Sequence, residues 1–341
     1  MKQINWGIIG LGKIASQFAE AFKNLENAKL IAVASQDKSK IIKFKNQFQL
    51  DEKYCFEDYE KLLLCDDIDV VYIALPNSFH HEWIIKSIKN KKKILVEKPA
   101  TINFSEIENI KKNYYNKNFF FAEGFMYIYH PQISKVIELL KKETIGKLIS
   151  METFFVKNIL TKKNFLGIKK NKKIDPKNRK YNKKLGGGVI LDLGCYTVSF
   201  STFVASLISK IDYDKVKILN IRKEMGATEV DVDAYAELIF ENGFKSKMSA
   251  SFSRDLGRKT IIIGSKGQLI IENTWHATPP VIRIIDNEEK NFLIECKDDI
   301  FSYEIEAISR NILENKTKPN FPGFTIDETL GNMKIIDKWL N

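Results

Sequence analysis

The chain has 341 residues, 44% of them hydrophobic, which suits two domains with ordinary cores and excludes an intrinsically disordered chain. No apolar run approaches the roughly 20 residues of a membrane span, and the short apolar stretch at residues 4–11 is read as a strand rather than a signal peptide. The net charge is +11, explained by biased codon usage or by an anionic partner. The sequence has no helix-turn-helix, RNA-recognition or zinc-finger pattern that would indicate nucleic acid as this partner.

The cysteines and histidines argue against a metal site. Four cysteines, at positions 55, 65, 195 and 296, are scattered without a CxxC pair. This is typical of reduced thiols in a cytoplasmic protein and excludes a standard zinc module. The four histidines form no HxxxH or HExxH pattern. We therefore expect a cytoplasmic protein that holds no metal.

The first third of the chain alternates between apolar runs and stretches with helical spacing. Such alternation predicts right-handed βαβ units and a doubly wound parallel sheet, an α/β Rossmann domain over residues 1–122. The predicted strands are 4–10, 29–34, 69–74, 93–96 and 119–122, and the predicted helices are 14–23, 39–48 and 81–90.

Beyond residue 122 the pattern changes to closely spaced strands. Turn residues at 241–243 and 265–267 indicate hairpins and thus a mostly antiparallel sheet. We predict an α+β domain with a large open sheet over residues 123–341, serving substrate binding and oligomerisation. Its predicted strands are 149–156, 216–222, 234–240, 244–252, 260–263 and 268–272, and its predicted helices are 130–142, 301–314 and 326–340.

A basic stretch over residues 157–184 interrupts this second region. It holds twelve basic residues and one acidic residue, Asp175. Two interpretations stay open: a solvated loop, or an electropositive flap beside the active site. The second favours an anionic substrate.

A glycine turn follows the first predicted strand. The sequence GLGKIA at 10–15 has a strand before it and a helix after it. Gly10 permits a tight turn, Gly12 has no side chain to block a pyrophosphate, and Ala15 lets the helix pack closely. The helix N-terminus at Lys13 and Ile14 would meet the phosphates. The alternative is a strand–helix turn without a ligand.

The end of the second strand bears on the choice of cofactor. An NAD enzyme usually has an acidic residue there for the ribose 2′-hydroxyl, whereas this chain has Ser35 and Gln36, with Asp37, Lys38 and Lys40 beyond. The missing acid and the nearby lysines favour NADP(H). Asp37 keeps NAD(H) open as the alternative.

Two further segments follow strands at the edge where ligands of open parallel sheets collect. Leu75-Pro76-Asn77 comes after the third predicted strand, and Glu97-Lys98-Pro99 after the fourth. We predict that both contact the nicotinamide half of the cofactor, with His80 beside them or capping the next helix. A surface lysine is the alternative for Lys98.

A glycine run at 186–188 precedes Asp192 and Tyr196. Glycines of this kind indicate close backbone approach, and residues four apart share one face of a helix. An acid and a phenol directed at Lys98 would form a proton-transfer set. An ordinary helix with a buried tyrosine is the alternative.

Taken together, these motifs resemble the glucose–fructose oxidoreductase/inositol dehydrogenase (Gfo/Idh/MocA) family. They occur in family order over more than half of the chain, and the tyrosine at 196, where many relatives carry histidine, resembles the branch with dimeric dihydrodiol dehydrogenase and NADP-dependent xylose dehydrogenase. The motifs are GLGKIA at 10–15, ALPNSFHHEW at 74–83, EKP at 97–99, EGFMYIYHPQ at 123–132 and LGGGVILDLGCY at 185–196.

The resemblance implies roles for individual residues. Lys98 would contact substrate and cofactor, Tyr196 would be the general acid or base, and Asp192 would hold substrate hydroxyls. Arg179 stands where relatives often carry arginine near the pocket. A free phenol is too weak an acid to act as a base at neutral pH, and a neighbouring ammonium favours the phenolate. Proton transfer at Tyr196 beside Lys98 is therefore chemically consistent.

The same resemblance implies the cofactor and the assembly. Ser35 and Lys40 stand where relatives contact the 2′-phosphate, although Gln36 departs from the serine–arginine pair of the branch. We expect an NAD(P)-dependent oxidoreductase acting on a sugar, polyol or sugar derivative, as a homodimer or homotetramer without membrane or nucleic-acid partners. The alternative is a non-catalytic NAD(P)-binding sensor of the same fold.

Overall fold

The computed structural model describes residues 2–114, 119–163, 169–296 and 298–341. The chain divides into two compact units, one formed by residues 1–130 and 297–330 and the other by residues 131–296 and 331–341. The predicted domains placed everything after residue 122 in the second domain. The structure differs, since residues 298–330 of the described chain pack in the first unit. Part of the basic stretch, residues 164–168, lies outside the described residues.

The first unit is built on a six-stranded sheet in the order β3-β2-β1-β4-β5-β6. Every pair in it is parallel, so the predicted doubly wound Rossmann sheet is confirmed. Its strands are β1 (Ile4–Ile9), β2 (Ala28–Ala34), β3 (Cys55–Phe56), β4 (Val70–Ile73), β5 (Lys93–Glu97) and β6 (Phe121–Gly124), and its helices are α1 (Lys13–Glu20), α2 (Lys38–Phe48), α3 (Tyr59–Leu64), α4 (His80–Lys89), α5 (Phe104–Tyr114) and α8 (Ile300–Leu313).

Helix α8 joins the first unit because its apolar face completes that core. Phe301 lies edge-on to Phe18 of α1, with ring centroids 5.8 Å apart, and Phe18 stacks on Tyr72 of β4 at 3.8 Å. Trp6 of β1, fully buried, donates a hydrogen bond from Nε1 to the Ser309 hydroxyl at 3.0 Å. Helices on the sheet explain why β4 is buried along its whole length.

The second unit is built on an eight-stranded sheet in the order β10-β11-β12-β7-β13-β14-β15-β16. Only the β12–β7 pair among these neighbours is parallel, which confirms a mostly antiparallel sheet. Its strands are β7 (Leu148–Val156), β10 (Lys217–Met225), β11 (Asp231–Ile239), β12 (Lys245–Ser251), β13 (Thr260–Gly264), β14 (Gln268–Ile271), β15 (Val281–Ile285) and β16 (Glu289–Leu293); β8 (Thr161–Lys163) and β9 (Lys169–Asn171) form a separate two-stranded antiparallel sheet.

A buried helical stretch packs against one face of the large sheet. A π-helical turn over Ile190–Gly194 leads into α7 (Cys195–Ser206), and the Ser201 hydroxyl lies 2.7 Å from that of Ser246 on β12. Helix α6 (Pro131–Lys141) precedes the sheet, and α9 (Ile326–Leu340) closes the chain.

One stretch, Lys183–Ser206, is long and apolar enough to cross a membrane by length and composition alone. Its apolar window is 100% buried inside the protein. A core helix of this kind passes the same test, and the packing of α7 on the sheet accounts for its apolar character.

Candidate active site

The glycine turn after β1 has the shape that a pyrophosphate requires. Gly10 has φ +91°, and a Cβ there would lie 2.8 Å from the carbonyl oxygen of Ala74, so only glycine fits. A Cβ on Gly12 would meet nothing within 4 Å. No described side chain caps the N-terminus of α1, which begins at Lys13. Gly12, Lys13 and Ile14 thus present open space and backbone N–H groups suited to an anion.

The end of β2 leads into a polar turn, and most of its polar groups form hydrogen bonds at the start of α2. The buried Ser35 hydroxyl accepts the Asp37 N–H at 3.1 Å. Asp37 caps α2, because its Oδ1 accepts the N–H and the hydroxyl of Ser39 at 3.0 and 2.5 Å. The Ser39 hydrogen bond holds the pKa of Asp37 below its usual value. Gln36 and Lys40 beside it are exposed.

His80 ties together the two strand-end segments predicted to line the cofactor site. It is fully buried at the start of α4. Its Nε2 lies 2.8 Å from the Leu75 carbonyl oxygen, and its Nδ1 lies 2.8 Å from the Pro99 carbonyl oxygen. The ring therefore bridges the loop after β4 to the residue that follows Lys98. His80 thus has a structural role as a bridge between the two loops, which differs from the alternative of a helix cap, because no described side chain caps α4.

Around Lys98 the first unit buries several acidic groups. Glu97, the last residue of β5, accepts a hydrogen bond from the Tyr72 hydroxyl inside the core. Glu123 on β6 lies opposite Val96 in the parallel register, beside the end of β5. Its carboxylate is close enough to feel the charge of Lys98.

Glu123 is a site residue that sequence reasoning did not select, although the family motif at 123–132 contains it. Its carboxylate accepts the Ala100 N–H at 2.9 Å and the Thr329 hydroxyl at 2.8 Å. Burial raises the pKa of Glu123 to about 7, against the opposing effects of these hydrogen bonds and of Lys98. The segment after Lys98 is thus held by a carboxyl that titrates near neutral pH.

In the second unit the glycine run brings backbone segments close together, as predicted. A Cβ on Gly187 would lie 2.7 Å from the Arg179 carbonyl oxygen. Gly188, at φ +116°, packs against the carboxylate of Asp231, which accepts the Ile190 N–H at 2.6 Å. The run therefore lets the loop carrying Arg179 lie directly on the start of the π-helical turn.

That loop places two cations on Asp192. The Asp192 carboxylate is almost wholly buried and forms ion pairs with Arg179 Nη1 at 3.2 Å and Lys180 Nζ at 3.1 Å. Asp192 belongs to the π-helical turn, a feature often found at functional sites. Arg179 and Asp192 are brought together, and Lys180 joins them without having been predicted.

Tyr196 follows one helical turn later, at the start of α7, and is 5% exposed. Its ring centroid lies 5.2 Å from that of Phe155 on β7 and 5.6 Å from that of Trp275. Phe155 and Trp275 stack on each other at 5.6 Å. An apolar wall of this kind keeps water from a phenol and fixes its orientation.

The predicted site residues fall in both units. Among the described residues, no group of three or more His, Cys, Asp or Glu side chains is placed to hold a metal ion. The first unit holds Gly10, Gly12, Lys13, Ile14, Ser35, Gln36, Lys40, Leu75, Pro76, Asn77, His80, Glu97 and Lys98, and the second holds Arg179, Asp192 and Tyr196.

Two sequence relatives match most of the length of the chain. The chain is 26% identical over 289 residues to trans-1,2-dihydrobenzene-1,2-diol dehydrogenase of Xenopus tropicalis, covering 84% of this chain and 80% of that protein. It is 26% identical over 321 residues to dTDP-3,4-didehydro-2,6-dideoxy-alpha-D-glucose 3-reductase of Saccharopolyspora spinosa, covering 91% and 88%.

A solved structure shares the fold. It is a 3-ketoreductase from Actinomadura kijaniata in complex with TDP-benzene and NADP, with a TM-score of 0.82, 22% identity and coverage of 98% of this chain and 96% of that one. In that form phenylalanine replaces a tyrosine, and in a second form of the same enzyme alanine replaces a lysine.

Two family models match consecutive parts of the chain. Residues 4–125 match the GFO_IDH_MocA oxidoreductase family, NAD-binding Rossmann fold. Residues 133–270 match the GFO/IDH/MocA C-terminal domain. The matches cover the whole parallel sheet, the second sheet as far as β14, and the segments that carry the predicted site. The chain therefore belongs to the GFO/IDH/MocA family of oxidoreductases.

Proposed function

We propose that the protein transfers hydride between NADP(H) and a hydroxyl or keto group of a sugar, polyol or sugar derivative. The observation that carries this proposal is the buried Tyr196 phenol, set one helical turn from Asp192 in the family's C-terminal domain. The relatives named above act on a cyclic diol and on a keto sugar attached to dTDP. One of them is named a dehydrogenase and the other a reductase.

The residues divide the chemistry among them. A bound nicotinamide supplies or receives the hydride. Tyr196 gives a proton to the carbonyl oxygen during reduction and takes it from the hydroxyl during oxidation. Lys98, as the assisting group, stabilises the phenolate. Asp192 and Arg179 hold neighbouring hydroxyls of the substrate.

The polar turn after β2 supports NADP(H) over NAD(H). Asp37 is the acidic residue nearest the predicted ribose site, and its Oδ1 is used in capping α2. Ser35 and the exposed Lys40 would receive a 2′-phosphate, with Lys40 exchanging its ion pair to Asp37, at 3.7 Å, for the phosphate. The family's solved 3-ketoreductase binds NADP.

The proposal is tested by following NADPH and NADH consumption with a panel of keto sugars, free and phosphorylated or nucleotide-linked. We expect turnover with NADPH, and a loss of about two or more orders of magnitude in kcat for Tyr196→Phe and for Lys98→Ala. Tyr54→Phe, a tyrosine on the surface of the first unit, is the control and should keep full activity.

Binding of NADPH separates catalysis from simple cofactor recognition. Tyr196→Phe should bind NADPH as the unsubstituted protein does, because the phenol acts on the substrate. Near-normal turnover in Tyr196→Phe would overturn the assignment. Tight NADPH binding without turnover of any substrate in the panel would instead identify a cofactor-binding sensor.

A further inference from the structure

Arg258 is a half-buried cation for which the described residues supply a ring contact and no acidic partner. It lies between β12 and β13, and its guanidinium carbon is 5.8 Å from the ring centroid of Phe155. Within the described parts of the chain its side chain forms no ion pair and no hydrogen bond. Burial lowers the pKa of Arg258. A guanidinium has five N–H donors, and shielding them from water without an acceptor is unfavourable.

The strand register directs Arg258 to the same sheet face as Phe155. Val156 and Gly257 form an antiparallel bridge, so the residues preceding and following them, Phe155 and Arg258, lie opposite each other. Opposite residues of an antiparallel pair project from one face. Phe155 contacts Tyr196 on that face. Arg258 and Tyr196 therefore both contact the same aromatic ring.

The charges around Tyr196 are unbalanced. Arg179 and Lys180 share the single carboxylate of Asp192, and Lys180 Nζ also lies 5.3 Å from the ring centroid of Phe252. Arg258 adds a third cation, whereas the other buried carboxylate at this turn, that of Asp231, accepts the Ile190 backbone N–H. Two of the cations already bind an acid, and Arg258 does not.

We propose that Arg258 binds an oxyanion, a phosphate or a carboxylate, carried by the substrate whose reacting carbon lies at Tyr196. This inference rests on the proposed function, because it takes Tyr196 as the reacting group. A planar guanidinium binds such an oxyanion through two parallel hydrogen bonds. Phe155 supports the guanidinium from behind and leaves its edge for the anion.

The experiment titrates inorganic pyrophosphate into protein saturated with NADP⁺, so that the glycine turn of the first unit is occupied. Calorimetry should show saturable binding at one site per chain. Arg258→Gln should weaken it by about tenfold or more, the usual effect of removing hydrogen bonds to a charged group. The pyrophosphate affinity of Arg258→Lys should lie between those of Arg258→Gln and the unsubstituted protein, since lysine keeps the charge and loses the paired donors.

Arg254→Gln is the matched control, because Arg254 lies in the same loop and is bound to Asp233 at 2.7 Å. The pyrophosphate affinity of Arg254→Gln should stay within about twofold of that of the unsubstituted protein, as expected for a substitution away from the anion. Equal affinity in Arg258→Gln and the unsubstituted protein, or no saturable binding at all, would overturn the proposal.

A second measurement needs no variant and decides the matter if Arg258→Gln does not fold. Phenylglyoxal modifies accessible arginines, and peptide mass spectrometry follows Arg258 and Arg254 separately. Bound pyrophosphate should slow modification of Arg258 and leave Arg254 unaffected; no protection of Arg258 would contradict the proposal. Protection at Arg258 in a protein that reduces no keto sugar would refute the proposed reaction and leave the anion site standing.

Discussion

His80 lies between the two loops that are predicted to line the cofactor site. Its two ring nitrogens lie at hydrogen-bond distance from the Leu75 and Pro99 carbonyl oxygens. We expect His80→Ala to destabilise the protein by about 2 kcal/mol, because a buried carbonyl oxygen loses its N–H donor and the ring between the two loops is removed. NADPH affinity should also fall, since both strand-end loops are released.

Thermal unfolding and NADPH fluorescence titration measure these two effects. His81→Ala is the control on the same helix, since His81 lies 3.2 Å from Asn109 Oδ1 at a partly exposed position. If His80→Ala melted and bound NADPH like His81→Ala, the bridging role would be wrong.

At the scale of elements, strand β6 places a titrating carboxyl beside the end of β5. Burial raises the pKa of Glu123 to about 7 in the folded protein, above its ordinary value of about 4.3 in an unfolded chain. The folded state therefore holds this proton more tightly. Its contribution to stability is present below pH 4 and is lost as the pH rises from about 4 to about 7, by at most about 4 kcal/mol.

Glu123→Gln should flatten this pH dependence, because glutamine can still accept the Ala100 N–H and does not ionise. The unfolding midpoint measured from pH 5 to pH 8 should fall less steeply than in the unsubstituted protein. Burial also raises the pKa of Glu304, so part of the slope should remain. Glu82→Gln, on the surface of the same unit, should keep the full slope; an equal slope in Glu123→Gln would contradict the assignment.

Apolar runs made the parallel sheet predictable, whereas its shortest elements were not predicted. β1, β2, β4 and β5 were predicted from continuous buried residues, whereas β3 is two residues long and α3 six, too short for any periodicity. Strands β15 and β16 were also missed; β16 is mostly exposed and shows no apolar alternation.

Site residues that belong to sequence motifs could be predicted. Site residues that depend on contacts between distant segments of the chain could not. Gly10 and Lys98 belong to short sequence motifs, GLGKIA and EKP, that can be recognised without a structure. The raised pKa of Glu123 and the position of Arg258 depend on burial and on the register of neighbouring strands. Spacing along the sequence does not reveal either one. The same holds for α8, whose membership of the first unit depends on long-range packing of Phe301.

At the scale of the whole molecule, the large sheet of the second unit has two different faces. Ala234, Ala236 and Leu238 of β11 are buried on the face that packs on α7. The residues between them project from the other face, where Lys247 binds Glu152 at 3.0 Å and is half exposed. We propose that this outer face joins copies of the chain into a dimer or tetramer.

Light scattering after gel filtration measures the mass and tests this assembly. The unsubstituted protein should run as a dimer or tetramer, and Lys247→Glu should shift it toward the monomer, because the new carboxylate faces Glu152 and Glu237 and repels its counterpart in the next copy. Lys23→Glu, on the exposed surface of the first unit, should leave the mass unchanged. A protein that is monomeric at every concentration, or a Lys247→Glu variant of unaltered mass, would place the interface elsewhere, since reversing a charge inside a shared sheet face destabilises it whatever the rest of the contact contributes.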